Sequence, residues 1–521
     1  MRWDLARLWH EIAVQQPQRA ALLRGGRQLS WEQFDTAATG YAATLRQAGL
    51  RRGDVLALCL PNTAEYLVLL AATMRCGATV CGINYRYRPH EIAELLNRIQ
   101  PAAVCYRPDS GIEQIRDAMP TVRLWYPVDG DQSNGALDAI IASGGDRGRL
   151  DSHPDDVMLK CTGGTTGSPL AVRWRIGDLL EQLNSHNPWR RHDLAADTVQ
   201  PDSGHRVRLL VASPLMHGSG LTRALGALCA GGTVITMPGT SFDPYHLLDA
   251  LADQQVTSLA IVGDAHAVPL ADALDAESGR WPLPHLETIT SSGAAWTHDI
   301  KNRLLMRLPH LRLLESLGAT EATGLGFAIA TAGAVPPTGE FRLGRYARVF
   351  TSSGQPAQPG QTGTIGVRKP HPAGIHPCGA LPAARFAVHD GDRYLLSGDH
   401  VQLIDGQRFL LLGRPDDCIN TGGEKVYAPE VTAVIRQHPH VRDAIVLGTA
   451  HPELGHTVTA LVELRPAGTT TEIGPYARQR LAGFKVPTAV IAVPAIPRTA
   501  AGKPDLAAAR HLAQQHLGSL P

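Results

Sequence analysis

Between residues 53 and 262, short apolar runs alternate with segments of helical spacing that open at a capping residue. The run Val55-Leu56-Ala57-Leu58-Cys59-Leu60 leads to Thr63, a helix cap, and to a helical stretch over 64–76 that Gly77 closes. Runs at 80–84 and 103–105 flank a helix predicted over 89–100. Strands over 208–217, 233–237 and 258–262, with helices over 177–185, 221–230 and 244–254, form a second such series. Strands that return after each helix demand a mainly parallel sheet, so the fold class is α/β.

Past about Phe341 the pattern changes to short β-rich pieces at 363–367, 394–396, 401–404 and 409–412, a small barrel or sheet. A compact α+β unit follows, with helices over 428–438 and 473–482 and strands over 443–447, 457–464 and 489–493. A chain of 521 residues exceeds one core. The expected division is a large N-terminal domain, 1–413, and a smaller mobile C-terminal domain, 414–521. At the N-terminus, helices are predicted over 3–15 and, capped by Ser30, over 31–48.

Lys and Arg number 49 against 48 Asp and Glu, a net charge of +1, so no nucleic-acid partner is advertised. The most apolar stretch, 55–74, is interrupted by Pro61, Asn62 and Glu65, so no membrane span is expected. Residues 1–12 carry Arg2, Asp4, Arg7 and Glu11 in place of an apolar signal core, and the expected location is cytoplasmic. The 8 cysteines lack CxxC spacing, so reduced core thiols are the expectation.

Chemistry concentrates first at 161–175, CTGGTTGSPLAVRWR. Thr162, Gly163, Gly164, Thr165, Thr166 and Gly167 combine glycines, which permit close backbone approach, with hydroxyls, and so suit an anion cradle. A Walker loop is excluded because Ser168-Pro169-Leu170 follows Gly167 with no lysine, and the Rossmann GxGxxG spacing fails as well. Further blocks follow in order: SSGAAW at 291–296, SLGATEATG at 316–324, SGD at 397–399, GRPDDCINTGGEKVYAPEV at 413–431 and PRTAAGKPD at 497–505. His217, followed by Gly218-Ser219-Gly220, reads either as a structural histidine at a strand end or as a substrate-side residue.

This set, in this order, resembles the signature motifs of the adenylate-forming superfamily, which includes acyl-CoA ligases, nonribosomal peptide adenylation domains and luciferases. GGEKV followed by Pro-Glu-Val is most similar to the acyl-CoA ligase branch. The resemblance implies ATP, acyl-AMP, Mg²⁺ and coenzyme A as cofactors and intermediates. It places Asp399 and Arg414 on the ribose, and Ser292, Gly293, Ala294 and Ala295 against adenine. Thr320 falls on the α-phosphate and Glu321 on Mg²⁺. Lys503 bridges the substrate carboxylate and the α-phosphate, Asp416 is the hinge, and Gly422, Gly423 and Glu424 line the thiol channel. Lys425 and Lys485 are weaker candidates for anionic groups of coenzyme A. The acid itself is expected near His217, Gly218 and Gly293.

Three positions depart from the family's cradle: Gly163 stands for serine, Leu170 for lysine and Ala171 for glycine. Leu317 replaces the aromatic usual beside adenine. The missing lysine is the cation for the leaving phosphates, which implies a weakened first half-reaction and a chain that acts mainly on preformed acyl-AMP, supplied by a separate adenylating enzyme. Arg173 or Arg175 would be replacement cations, although strand alternation puts both on the face of Ala171. The alternatives are an enzyme that loads a carrier protein and a non-catalytic sensor of acyl groups or nucleotide.

Overall fold

The computed structural model describes residues 3–128, 135–142, 150–161, 171–189, 192–196, 207–376, 379, 381–413, 418–421, 424–451, 455–499 and 502–517. Thr162, Gly163, Gly164, Thr165, Thr166, Gly167, Leu170, Arg414, Asp416, Gly422 and Gly423 lie outside them, as do the side chains of Glu424 and Lys425.

Helix ends follow the predicted caps. Asp4 accepts from the Arg7 N–H and opens Leu5–Gln15. Ser30 and Gln33 form a reciprocal capping box at the start of Trp31–Gln47, and Thr63 caps Ala64–Arg75. That third helix is buried on nearly every side, including Glu65 and Arg75. It is buried all round because it lies between two sheets: the largest apolar cluster joins it and its neighbouring helices to Leu56 and Leu58 of one sheet and to Leu209, Val211 and Val234 of another.

One sheet has seven strands, in the order Gly374–Ile375, Ala171–Arg175, Val157–Cys161, Thr79–Gly82, Val55–Cys59, Ala103–Tyr106, Leu124–Pro127. Its last five strands are parallel; Ala171–Arg175 runs antiparallel to Val157–Cys161. The 14-stranded sheet carries a parallel core in which Arg208–Val211, Ser258–Ile261, Thr288–Ser292 and Arg312–Leu317 are neighbours. Gly326–Ala330 pairs antiparallel on Arg312–Leu317, and the β-rich pieces after Phe341 extend the sheet beyond it as further antiparallel strands. A five-stranded sheet built wholly from residues beyond 417 completes the fold, with the long hairpin of Val441–His451 and Gly455–Leu464 at its centre.

Several predicted elements differ, among them the separate pieces expected at 394–396 and 401–404, which are one continuous strand, Asp392–Leu403. The strand expected over 208–217 ends at Val211, and His217 instead occupies the N-cap of a helix that starts at Gly218, three residues earlier than expected. Pro214 lies between them, where it cannot donate to a ladder. The helix expected over 473–482 stops at Arg478, although Leu481 remains packed on the apolar cluster of that sheet.

Candidate active site

Parallel α/β sheets gather ligands at the carboxyl ends of their strands, where successive loops splay apart. Here the strands Ser258–Ile261, Thr288–Ser292 and Arg312–Leu317 all run the same way, and the residues at their ends, Val262, Gly293 and Gly318, line one cavity of about 1620 Å³. The register sets Ser292 opposite Ser316, so SSGAAW and SLGATEATG leave the sheet side by side.

Thr320 and Glu321 sit on a tight turn closed by reciprocal backbone hydrogen bonds between Ala319 and Ala322, of 2.7 and 3.2 Å. The indole of Trp174 anchors this turn by donating to the Thr320 carbonyl at 3.0 Å. The turn is thereby tied to the strand that follows the cradle. Both residues line the cavity, and Arg385 donates to Glu321 Oε1 at 2.5 Å. Arg385 went unread in the sequence, since an isolated arginine on a short 3₁₀ turn carries no motif.

Gly293 has a φ of +88°, a conformation that favours glycine, and a Cβ there would come within 3.7 Å of the Lys503 side chain. Lys503 therefore reaches the end of the Thr288–Ser292 strand from the far end of the chain. Its loop is braced internally: Thr499 N–H donates to the Lys503 carbonyl at 2.7 Å, and Arg498 bonds the Gly502 carbonyl. Arg498 also pairs with Asp443 of the C-terminal sheet, which Arg436 holds at 2.7 Å.

His217 lines the same cavity from the start of the helix Gly218–Cys229. Burial, then the nearby positive charges of Lys503 and Arg86, push its pKa down to about 4, and its buried Nε2 has no hydrogen-bond partner among the described residues. It is a neutral imidazole at neutral pH, free to bond a ligand. Of the adenine-side residues, Ser292 and Gly293 line the cavity. Ala294 and Ala295 are not among its lining residues, and the Ala295 carbonyl accepts from the Asp264 N–H at 3.0 Å. Ser397 and Gly398 line the wall, and Asp399 follows them on the same strand, its N–H bonded to Ser397 Oγ at 3.1 Å.

The replacement cations do not materialise. Arg173 and Arg175 lie on the face of the strand opposite Trp174; Arg175 is exposed beside Asp178. Neither lines the cavity. Lys160 does. It pairs across the ladder with Val172, which places it on the face of Trp174, and its Nζ lies 5.3 Å from the Trp174 ring centroid. Lys160 is 6% exposed, has no hydrogen bond or ion pair among the described residues, and burial pushes its pKa down to about 8. A buried lysine without a carboxylate is costly to keep, and it is more stable charged once an anion arrives. Lys485, by contrast, is committed to Glu430 at 2.6 Å.

Similarity to known proteins agrees with this geometry. Residues 9–374 match the family model of the AMP-binding enzymes, and 430–503 match that of the AMP-binding enzyme C-terminal domain. The chain is 30% identical to 3-oxocholest-4-en-26-oate–CoA ligase of Rhodococcus rhodochrous, over 94% of this chain and 92% of that one. It is also 30% identical to feruloyl-CoA synthase of an Amycolatopsis species, over 94% of both chains. Among solved structures, ATP-bound MatB from Rhodopseudomonas palustris superposes with a TM-score of 0.81 at 24% identity, covering 99% of this chain and 100% of that one. The anthranilate CoA ligase AuaEII in complex with anthranoyl-AMP gives 0.82 at 18%, covering 99% and 98%. The chain belongs to the AMP-binding, adenylate-forming enzymes, in their acyl-CoA ligase branch.

Proposed function

We propose that this acid–thiol ligase carries out both half-reactions on a carboxylic acid. A carboxylate oxygen attacks the α-phosphorus of ATP and pyrophosphate leaves; the coenzyme A sulfur then attacks the acyl carbon of the mixed anhydride and AMP leaves. The observation that carries the first step is the convergence of Lys503, Gly293, His217, Thr320 and Glu321 on one cavity. There Lys503 is placed to hold the carboxylate against the α-phosphate, and neutral His217, with the N-terminus of its helix, borders the acid. Asp399 and Arg414 hold the ribose, and Ser292 and Gly293 pack on adenine. The matches to acyl-CoA ligases support coenzyme A as the acceptor.

Mg²⁺ fits the site as a one-carboxylate ion completed by nucleotide phosphates. Glu321 is the carboxylate that would hold it, and it makes no hydrogen bond among the described residues beyond that to Arg385. The ion supplies charge neutralisation on the phosphates. Because Arg385 competes for the same carboxylate, Arg385→Met should lower the Mg²⁺ concentration for half-maximal pyrophosphate exchange several-fold. A titration of Mg²⁺ against exchange rate checks this, and an unchanged midpoint contradicts it.

Leu170 and Ala171 favour a second reading, in which only the thioester half survives and a separate enzyme supplies the adenylate. Lys160 argues for the complete reaction. It stands two residues before Thr162, faces the cavity and lacks a counter-charge among the described residues, so we infer that it supplies the phosphate-side cation that position 170 lacks. A domain division at 413/414 with a hinge at Asp416 accords with the C-terminal sheet, which takes no strand from before residue 418. Asp416→Pro, by fixing φ, should impair one half-reaction more than the other.

The test of function is a panel of acids with ATP, Mg²⁺ and coenzyme A, read by mass spectrometry of thioester, with a holo-carrier protein as competitor. Thioester on coenzyme A is the expected product. Exclusive transfer to the carrier would favour the loading reading, and binding of acyl-AMP without turnover would favour a sensor. No helix among the described residues is long and apolar enough to cross a membrane.

A further inference from the structure

Arg223 lies on the helix Gly218–Cys229, six residues after His217, and lines the cavity together with Gln182, Trp189, Thr222, Gly226 and Ser316. At 1.5 Å of rise per residue its Cα stands about 9 Å along the helix axis from that of His217, away from the end where Lys503 enters. Its guanidinium makes a single hydrogen bond, from Nη2 to Ser316 Oγ at 2.6 Å, and no ion pair among the described residues. A guanidinium carries five N–H donors in a planar fork, so most of its hydrogen-bonding capacity is unspent. The protein shields it enough to push its pKa down to about 10, with burial as the cause and no carboxylate offsetting it. Gln182, 6% exposed on the neighbouring helix, has a buried side-chain Oε1 with no partner.

A wall for a plain hydrocarbon tail would be lined by apolar groups. Here it carries an arginine unneutralised by any described residue, an amide oxygen without a partner among them, and a hydroxyl. An uncompensated shielded cation is a cost to the free protein that a matching ligand removes. The ligand that matches a planar fork is a carboxylate, which can take two parallel N–H bonds, and the Gln182 amide can rotate to offer its Nε2 to the same group.

We propose that Arg223 anchors a second carboxylate on the acid, so that the substrates of this enzyme are dicarboxylic acids activated at the carboxyl group nearer Lys503. This rests on the ligase reading above and names its substrate class. The remote carboxylate stays ionised and unreacted throughout. Arg223 binds and orients; it does not touch the reacting atoms.

The experiment uses the full chain with matched pairs: each linear dicarboxylic acid of four to eight carbons against its own mono-methyl ester, which keeps length and shape but removes the second charge. The kcat/KM for thioester formation in the unmodified protein should favour the diacid by about 10- to 100-fold at the best chain length, the range for a charge-assisted hydrogen-bonded pair. Arg223→Gln should collapse that preference towards unity, mainly through KM of the diacid, and Arg223→Lys should retain part of it. Turnover of the mono-esters, in both variants, reports that they are folded. Equal use of diacid and mono-ester by the unmodified protein overturns the proposal while leaving the ligase reading intact. If no acid is turned over, calorimetric binding decides: saturable binding of a diacid that is lost in Arg223→Gln, with no binding of its mono-ester, upholds the anchor and rejects the ligase reading. No such discrimination in binding rejects the anchor.

Discussion

Lys503→Ala should cut ATP–pyrophosphate exchange by about 10²- to 10³-fold, the usual cost of removing one electrostatic donor from developing charge. Thioester formation from supplied acyl-AMP and coenzyme A should stay within a few-fold of the unmodified rate. The asymmetry follows from where the amine sits. It approaches Gly293 at the end of the Thr288–Ser292 strand, in the cavity bordered by His217 and the Thr320-Glu321 turn. A cation between carboxylate and α-phosphate stabilises the first transition state and has no partner role once the anhydride exists. Comparable losses in both half-reactions would show that the variant damages the fold or that Lys503 serves both steps. The loop's own bracing, through Arg498 to Gly502 and Asp443, does not depend on the lysine side chain, so local misfolding is not the expected cause.

Lys160→Met should have an effect of similar size, again about 10²- to 10³-fold on exchange and little on the second half-reaction. Methionine keeps the volume beside Trp174 and removes only the charge, so the anchor from Trp174 to the Thr320 carbonyl should persist. Leu170→Lys, which restores a cation in the cradle itself, should recover part of the loss in the Lys160→Met background. The pH dependence gives an independent signature. With its pKa lowered to about 8, Lys160 is charged below that pH and neutral above it, so kcat/KM for ATP should fall as pH rises through about 8. Lys160→Arg, charged at every accessible pH, should move that fall upward. The sign for stability is the reverse of the usual lysine case. The unfolded chain keeps the proton up to about 10.5 and the folded chain releases it near 8, so this group's contribution to stability rises between those values. An exchange rate unaltered by Lys160→Met would show that Lys160 is not the phosphate-side cation.

Much of the fold was legible because it rests on local signals. Thr63 and Ser30 cap the helices they were expected to cap, and the apolar runs at 55–60 and 258–262 became parallel strands. The motif blocks at 291–296 and 316–324 were legible as separate stretches; the register that sets Ser292 beside Ser316 is what makes them one wall. Lys503 was readable from its motif, and its approach to Gly293 needed the C-terminal sheet in place.

The residues that escaped reading share a cause. Lys160, Arg223 and Arg385 are isolated charged residues whose meaning lies in what they face, and sequence spacing carries no record of that. Lys160 belongs to no motif in the sequence; ladder pairing with Val172 is what puts it beside Trp174. The two arginines weighed as replacement cations lie, by alternation along Ala171–Arg175, on the strand face opposite Trp174, and neither lines the cavity. His217 was placed at the wrong kind of element: a helix that begins at Gly218 makes it an N-cap, so it lines the cavity at a helix N-terminus.

The measurement closest to the central claim is ATP–pyrophosphate exchange by the unmodified protein, run with the same acids that yield thioester and in parallel with thioester formation from the corresponding acyl-AMP. The account predicts acid-dependent exchange at a rate that supports overall turnover, lost in Lys160→Met and in Lys503→Ala. Thioester from supplied acyl-AMP with no exchange from any acid and ATP would contradict it, and would leave a thioester-forming enzyme that depends on another for its adenylate.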